Sequence, residues 1–141
     1  LDDPVDVLEA VEQGVDLFTS VYPHVIAETG CAFSFLLDME SSECTPSLLN
    51  LRDNQYQRDW TPLIGDYIVE GESSKIQENQ PMDTGIYRCA CYCCRRHTKA
   101  YIHHLLNTHE LLGSILLNIH NTYHYLRFFE KIRAHVKAGT F

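Results

Sequence analysis

Residues 89–94 read Cys89-Ala90-Cys91-Tyr92-Cys93-Cys94, and His120 follows further along the chain, which gives the pattern C-x-C-x2-C-x25-H. Three thiols this close in sequence can converge on one ion if the backbone turns tightly around it. Three soft sulfur ligands and one imidazole suit tetrahedral zinc, and four protein ligands leave no open position for water. The pattern therefore predicts one structural Zn2+ per chain, held by Cys89, Cys91, Cys94 and His120.

Two choices within this pattern stay open at the level of sequence. Cys93 and Cys94 are adjacent, so we expect only one of them to face the ion, and the x2 spacing from Cys91 favours Cys94. His97 is an alternative to His120 as the fourth ligand, although it lies very close to Cys94. The competing interpretation of the whole pattern is a chance run of cysteines with a core histidine, and the specificity of four-ligand spacing argues against it.

Composition limits the class of protein. Apolar residues make up 45% of the 141 residues, enough for a packed core in one domain or in part of a larger one. The formal net charge of −8 argues against strong binding of a phosphate backbone by this chain alone. Clustered cysteines are poor for disulfide geometry, so we expect a reducing compartment, with Cys31 buried and Cys44 a free thiol. No apolar run is long enough to span a bilayer, and we expect no integral membrane segment.

The first third of the chain has the alternation of an α/β unit. Asp3 and Pro4 predict a helix N-cap and first position, and Gly14 predicts the end of that helix. The β-branched and aromatic run 15–22 predicts a buried strand, and the run 32–37 predicts a second one. Helix, glycine, strand and loop in this order indicate an α/β fold.

The rest of the chain divides into a polar middle and a helical end. Leu49, Leu51 and Tyr56 predict a short strand or hairpin, and residues 64–85 predict a mobile loop. Asn107 and Glu110 have capping-box spacing, which predicts a helix that starts near Thr108. The apolar face of this helix is expected to contain Leu111, Leu112, Ile115, Leu116 and Ile119, continued by His120.

Other polar clusters have ordinary explanations. His103 and His104 face different directions on a helix, which favours surface or interface histidines over a catalytic pair. A basic patch could touch RNA phosphate, but such patches more often offset nearby thiolates or stay solvated. The patch consists of Arg95, Arg96, His97 and Lys99.

Several motifs together resemble one family, the tRNA-guanine transglycosylases. Residues 89–94, 97–105, 110–113, 120–121 and 131–133 are similar to the family's C-terminal zinc segment. Residues 14–23, Gly-Val-Asp-Leu-Phe-Thr-Ser-Val-Tyr-Pro, resemble its G-V-D-x-F-D-C-V-x-P-T-R element. The likeness covers most of the chain apart from about residues 38–48 and 64–88.

The resemblance implies a fold and an organisation. We expect an α/β chain that is the C-terminal fragment of a (β/α)8 barrel, with an inserted Cys3His zinc subdomain and long C-terminal helices. The expected divisions are the last helix–strand portion of the barrel at 1–37, a hairpin and flexible loop at 38–88, and the zinc knuckle with C-terminal helices at 89–141. Members of the family exchange guanine at the tRNA wobble position for queuine or its precursor, by attack of an aspartate on the ribose.

Three departures from the family pattern predict that this chain is not itself an enzyme. The nucleophilic aspartate of the F-D-C element falls at Thr19, whose hydroxyl is far less acidic. The anticodon-binding arginines of the family fall at Val25 and Glu28. Together these resemble the non-catalytic accessory members of the family. The alternatives are an active transglycosylase with another nucleophile and a stand-alone zinc module that binds nucleic acid.

The resemblance also implies partners and a location. An accessory member forms a heterodimer with a catalytic queuine tRNA-ribosyltransferase subunit and holds tRNA jointly with it, through the zinc region and the helical face after Ala100. A homodimer through the same surface is the expectation when the catalytic subunit is absent. The expected location is the cytoplasm, with peripheral attachment to the mitochondrial outer membrane known among family members.

Overall fold

The structure is a computed structural model that describes residues 3–35, 48–65 and 89–140. Five helices and two strands form a mixed, mostly helical arrangement in these residues. They are α1 (Pro4–Glu12), α2 (Tyr22–Glu28), β1 (Cys31–Phe33), β2 (Leu48–Asn50), α3 (Tyr92–Arg96), α4 (Lys99–Asn107) and α5 (Leu111–Ala138), with a 3-10 turn at Asn54–Tyr56. Most of the expected mobile loop, Cys44 and the end of the second predicted strand lie outside the described residues.

The first helix begins where the sequence predicts. The Asp3 side chain accepts a hydrogen bond from the Val5 amide at 2.9 Å, and Pro4 follows in the first turn. Gly14 has φ of +90°, a left-handed conformation that suits glycine and turns the chain away after α1. The buried face of α1 contains Val7 and Ala10, whereas Val5 is exposed.

The predicted strand at 15–22 is wrong. Residues 15–21 form no strand, and Tyr22 begins α2 with Pro23 at its second position. A strand needs neighbours for its backbone hydrogen bonds, and no described segment pairs with this one. Its aliphatic side chains are exposed, including Leu17 at 90% and Val21 at 67%, whereas Phe18 and Tyr22 are partly buried against the aromatic side chains of α5 and β1.

The strand predicted at 32–37 is confirmed in part, as β1. It pairs with β2 in an antiparallel two-stranded sheet, with Cys31 opposite Asn50 and Phe33 opposite Leu48. The hairpin suggested by Leu49 and Leu51 thus contributes one short strand, which pairs with β1. The described residues contain no other strand, so the sheet observed here is this antiparallel pair.

The start of the longest helix differs from the prediction. Asn107 is the last residue of α4, and its side-chain amide lies 2.8 Å from Nε2 of His103 instead of capping a new helix. His109 then takes a positive φ of 56°, and Glu110 is the extended N-cap of α5. The chain needs these extra residues to reverse direction between the two helices.

The residues of the predicted apolar face of α5 lie partly on the buried side of the helix and partly on its exposed side. Leu116 and His120 are buried, but the other four residues of the predicted face, Leu111, Leu112, Ile115 and Ile119, are exposed. The buried face instead continues through Leu117, Asn121, His124, Tyr125, Phe128 and Ile132. Across residues 3–35, 48–65 and 89–140, no helix combines the length and apolar character that crossing a membrane requires.

Two clusters of buried side chains lie against β1. We call the first the metal-side core, formed by Ala27, Ala32, Leu51, Leu63, Cys89, Cys91, Cys93, Cys94, Ile102, Leu105, Leu106, Leu116 and Leu117. The second is the aromatic core, formed by Val7, Phe33, Phe35, Tyr125, Phe128 and Ile132. Successive side chains of a strand point to opposite faces, so Ala32 enters the first core and Phe33 the second.

Candidate metal centre

The structure brings Cys89, Cys91, Cys94 and His120 together in one buried cluster that could hold a metal ion. One donor atom from each residue lies within 4.8 Å of all the others. The Nδ1 atom of His120 is 3.7 Å from Sγ of Cys89 and 3.4 Å from Sγ of both Cys91 and Cys94. Zinc–sulfur and zinc–nitrogen bonds at a tetrahedral angle place these atoms about 3.6 Å apart. The donor set and its spacing therefore fit a tetrahedral cation.

The short helix α3 explains the C-x2-C spacing. Cys91 is the N-cap of α3, and its Sγ accepts a hydrogen bond from the Cys94 amide at 3.3 Å. One helical turn thus carries Cys94 back beside Cys91. Cys93 is also fully buried but is not part of the donor cluster, and burial raises the pKa of its thiol. This agrees with the expectation that only one of the two adjacent cysteines faces the ion.

His120 is oriented by a second hydrogen bond on its far side. Its Nε2–H donates to the carbonyl oxygen of Phe33 at 2.9 Å, which directs Nδ1 toward the three thiols. Histidines that bind metals commonly donate their other ring N–H to a carbonyl or carboxylate, which fixes the tautomer. His120 therefore joins the cysteine cluster directly to β1.

Two neighbours of His120 on α5 bind the same strand. Asn121 accepts a hydrogen bond from the Phe33 amide at 2.9 Å and donates to the Cys31 carbonyl at 3.0 Å. Nε2 of His124 donates to the Phe35 carbonyl at 3.0 Å. In an antiparallel pair of strands, residue pairs that exchange backbone hydrogen bonds alternate with pairs that do not. The Gly30 carbonyl accepts a hydrogen bond from the Leu51 amide, so Cys31 and Phe33 belong to pairs that do not, and their peptide groups point away from β2. Side chains of α5 thus complete the free edge of β1.

The electrostatics of the cluster favour negative charge on sulfur. Hydrogen bonds from the Cys89 and Cys94 thiols hold the pKa of Cys91 far below its usual value. Burial alone would lower the pKa of His120, but hydrogen bonds and charge from Cys89 and Cys91 raise it to about 9. The same hydrogen bonds raise the pKa of Cys94, because a second thiolate beside the first is unfavourable without a cation. A dication is the species that allows all three sulfurs to ionise together.

Burial has the opposite effect on the next histidine of α5. The ring of His124 packs near that of His120, with centroids 5.8 Å apart. Burial, followed by the charge of His120, lowers the pKa of His124 to about 4. His124 is therefore a neutral hydrogen-bond donor at physiological pH and acts in the support of β1.

The other candidate residues lie outside the cluster. The ring of His97 stacks on that of Tyr101, with centroids 5.0 Å apart, and His97 is not part of the donor cluster. His103 is buried, and its Nδ1 lies 2.7 Å from the Leu51 carbonyl, whereas His104 is exposed. Lys99 forms an ion pair with Asp59 at 3.5 Å. Cys31 is only partly buried, contrary to expectation.

Sequence reasoning missed Asn121 and His124 as supporting residues. Both carry polar side chains with no exposed surface. A signal was available, since they share three- and four-residue spacing with Leu117 and His120 and therefore belong to the same helix face. Polar residues at buried positions need hydrogen-bond partners, and here β1 supplies them.

A closed Cys3His cluster that fastens a short cysteine turn to a long helix is characteristic of structural metal-binding segments. The sequence profile of the queuine tRNA-ribosyltransferase family matches residues 1–141, and the chain belongs to this family. The family resemblance inferred from the motifs is thereby confirmed.

Three relatives illustrate the similarity. The chain is 36% identical to the queuine tRNA-ribosyltransferase accessory subunit 2 of Pongo abelii, over 96% of this chain and 35% of that protein. It is 38% identical to the protein of the same name from Xenopus tropicalis, with the same coverage, and 36% identical to that of Drosophila melanogaster, over 97% of this chain and 27% of that protein. The chain thus spans about a third of the length of these curated relatives.

Proposed function

We propose that this chain is the C-terminal part of a non-catalytic accessory subunit of a queuine tRNA-ribosyltransferase, the enzyme that inserts queuine at the tRNA wobble position. The names of the relatives support the accessory role, and the family match over the whole chain supports tRNA modification. The observation that carries the proposal is the closed, buried cluster of three cysteines and one histidine. A site closed by four protein ligands stabilises the fold and has no open position for a reaction, which suits a subunit that supports a catalytic partner.

Zinc is the proposed ion at this centre, one per chain. Cys89, Cys91, Cys94 and His120 would fill a tetrahedral shell, which leaves no position for an activated water. A structural zinc ion supplies folding free energy, on the order of 10 kcal/mol in small zinc domains. The chain's own contribution is to present the four donors and, through the bond from His120 to Phe33, to hold the imidazole in one orientation.

The surroundings of Thr19 support a non-catalytic role. Thr19 corresponds by resemblance to the nucleophilic aspartate of the family, and it lies exposed between α1 and α2, in a segment that forms no helix or strand. Among the described residues, no side chain forms a hydrogen bond that would activate its hydroxyl. A threonine without a base is a poor nucleophile at neutral pH. Val25 and Glu28, at the expected arginine positions, are both exposed.

The proposed partner surface is the exposed side of the first two to three turns of α5. It carries Leu111, exposed to 74%, with Leu112, Ile115 and Ile119 on the same side. Apolar side chains grouped in this way are typical of protein interfaces. We infer that the catalytic subunit covers them in a heterodimer that holds tRNA jointly. A homodimer through this surface is the alternative in its absence.

The proposed organisation places residues 1–37 at the last helix–strand portion of a (β/α)8 barrel. Residues 38–88 form a connecting hairpin and loop, and residues 89–141 form the zinc knuckle and C-terminal helices. Support comes from the segment 15–21, whose exposed Val15, Leu17 and Val21 are of the type that a neighbouring strand would cover. The proposed location is the cytoplasm, and the cysteines of the described residues, which are clustered and form no disulfide, support a reducing compartment.

The decisive experiment combines the full-length protein with the catalytic subunit. Guanine exchange into tRNA is measured with labelled guanine for each protein alone and for the pair, and covalent RNA adducts are trapped. We expect exchange by the pair, no exchange by this protein alone, and an adduct on the partner only. An adduct on this protein would establish an active transglycosylase. Strong tRNA binding by this protein alone, without a complex with the partner, would indicate the stand-alone nucleic-acid module.

A further inference from the structure

The charge of this chain is strongly segregated. Residues 1–35 contain seven acidic residues and no lysine or arginine, whereas residues 89–141 contain seven lysines or arginines and two acidic residues. The formal net charge of −8 therefore conceals a C-terminal segment that is clearly basic. Total charge is a poor guide to the partners of such a chain, because a local field acts on whatever contacts it.

The exposed side of α5 changes its chemistry along its length. Positions three, four or seven residues apart lie on one side of a helix, so Ile119, Leu126, Arg133 and Lys137 share the side that begins at Ile115. Val136 is also exposed, but it lies about 60° around the helix from Arg133 and is off the line through these residues. The first part of the line is apolar, and Leu126 is its last large apolar residue. Beyond it the same side is basic, because Arg133 and Lys137 are both exposed.

The two cations at this end are available to a partner. Arg127 forms an ion pair with Glu130 at 2.8 Å, so the nearest acid on the helix is already engaged. Residues 131–141 contain no acidic residue. Within the described part of the chain, neither Arg133 nor Lys137 has an acidic group within ion-pair distance. Cations also suit the C-terminal end of a helix, but that effect is confined to its last turn, and Arg133 lies before it.

We propose that Arg133 and Lys137 contact the phosphate backbone of an RNA, at the edge of the protein interface formed by the apolar part of α5. This inference rests on the proposed function, which supplies tRNA as the RNA. Phosphate contacts by lysine and arginine position a nucleic acid without reading its sequence. One side of a single helix would then contact the catalytic subunit near its start and the tRNA near its end.

An anionic membrane surface fits this arrangement less well. Membrane-bound helices carry basic residues beside an apolar face that enters the bilayer. Here the apolar residues lie near the start of this side of the helix and the cations lie near its end, with Ile119 and Arg133 about 21 Å apart along the helix. The opposite side of α5 is buried in the two cores and cannot enter a membrane.

The test uses the full-length protein in complex with the catalytic subunit and measures tRNA affinity from low to high salt. The variant is Arg133→Gln with Lys137→Gln, and the matched control is Arg58→Gln, which removes an exposed cation from another element. We expect the slope of log affinity against log salt to become shallower by about 2 in the double variant, with little change in the control. Arg133→Lys should keep the wild-type slope, since a phosphate contact needs the charge.

The outcomes separate this inference from the proposed function. If the wild-type proteins form no complex, as judged by native mass, the proposed function fails. If the complex forms and the double variant keeps the wild-type slope, the inference is overturned. Loss of binding to phosphatidylserine vesicles by the double variant, with tRNA binding unchanged, would assign these cations to a membrane surface and would also overturn it.

Discussion

The metal-side core and the aromatic core share β1 and α5, but different forces hold them. The metal-side core contains three thiols, which repel one another when ionised, and one imidazole, and a cation would offset that repulsion. The aromatic core is built from rings that pack on one another. The ring centroids of Phe35 and Phe128 are 5.5 Å apart, and those of Phe33 and Tyr125 are 6.0 Å apart. The stability of the first core would therefore depend on an ion from solution, whereas the second is stabilised by burial of apolar surface.

The largest effect should come from breaking the metal-side core at a single sulfur. We expect Cys94→Ser to abolish metal binding and to remove on the order of 10 kcal/mol of metal-linked stability, enough to unfold this core. Elemental analysis and thermal unfolding followed by circular dichroism measure both effects. Cys93→Ser is the matched control. It should retain one ion and lose only about 1–3 kcal/mol, because it buries a hydroxyl. Loss of the ion in the control and not in Cys94→Ser would reverse the ligand assignment.

The aromatic core should respond strongly but without any change in metal content. Phe33 is fully buried and contacts the rings of Tyr22, Phe35 and Tyr125. We expect Phe33→Ala to lower the free energy of unfolding by about 3–5 kcal/mol while the protein retains its ion. Urea unfolding and metal analysis on the same sample check this. Leu17→Ala, at an exposed position, should change stability by no more than about 0.5 kcal/mol. Metal release by Phe33→Ala would show that the two cores form one unit.

The hydrogen bonds between α5 and β1 connect the two cores. Asn121→Ala would leave the Phe33 amide and the Cys31 carbonyl without their partner and would remove an additional bond to the Pro23 carbonyl. We expect a loss of roughly 1–3 kcal/mol and faster hydrogen exchange at the Phe33 amide. Asn118→Ala, on the same helix but only partly buried, is the control and should leave that exchange rate unchanged. Equal exchange in the two variants would contradict the assigned role of Asn121.

The smallest effects should come from the two ion pairs, one near the start of α4 and one on α5. Lys99 pairs with Asp59 and donates to Thr61 at 2.9 Å, in a partly buried site at the start of α4. Arg127 and Glu130 form an exposed pair on α5. We expect Lys99→Met to cost about 1 kcal/mol and Arg127→Met less than about 0.5 kcal/mol. Chemical unfolding in low and high salt measures both, and a larger loss for Arg127→Met would invert the expected order.

Local signals in the sequence were sufficient for some of these features. The cysteine spacing predicted which four residues come together, and Asp3 and Pro4 predicted the start of α1. Both depend on interactions among residues near in sequence or on a strict chemical pattern. The family was recognisable for the same reason, since its motifs are short and contiguous.

Features that depend on distant partners were not predictable in this way. The run 15–22 has the composition of a strand, but composition does not supply a neighbouring strand to bond with. The leucines and isoleucines at the start of α5 have helical spacing, but spacing alone does not tell which side of the helix the protein covers. Asn121 was missed because its partners, Cys31 and Phe33, lie about 90 positions earlier in the chain.

The side chains of α5 that bind β1 have one further consequence. An isolated strand edge offers a template on which another chain can assemble, and this is a common route to fibrils. Along β1 and the residues just after it, side chains of α5 already form hydrogen bonds with this edge. His120, Asn121 and His124 bind peptide groups of Cys31, Phe33 and Phe35. The sheet is therefore protected from intermolecular growth on that side, by the same residues that steady the metal-binding histidine.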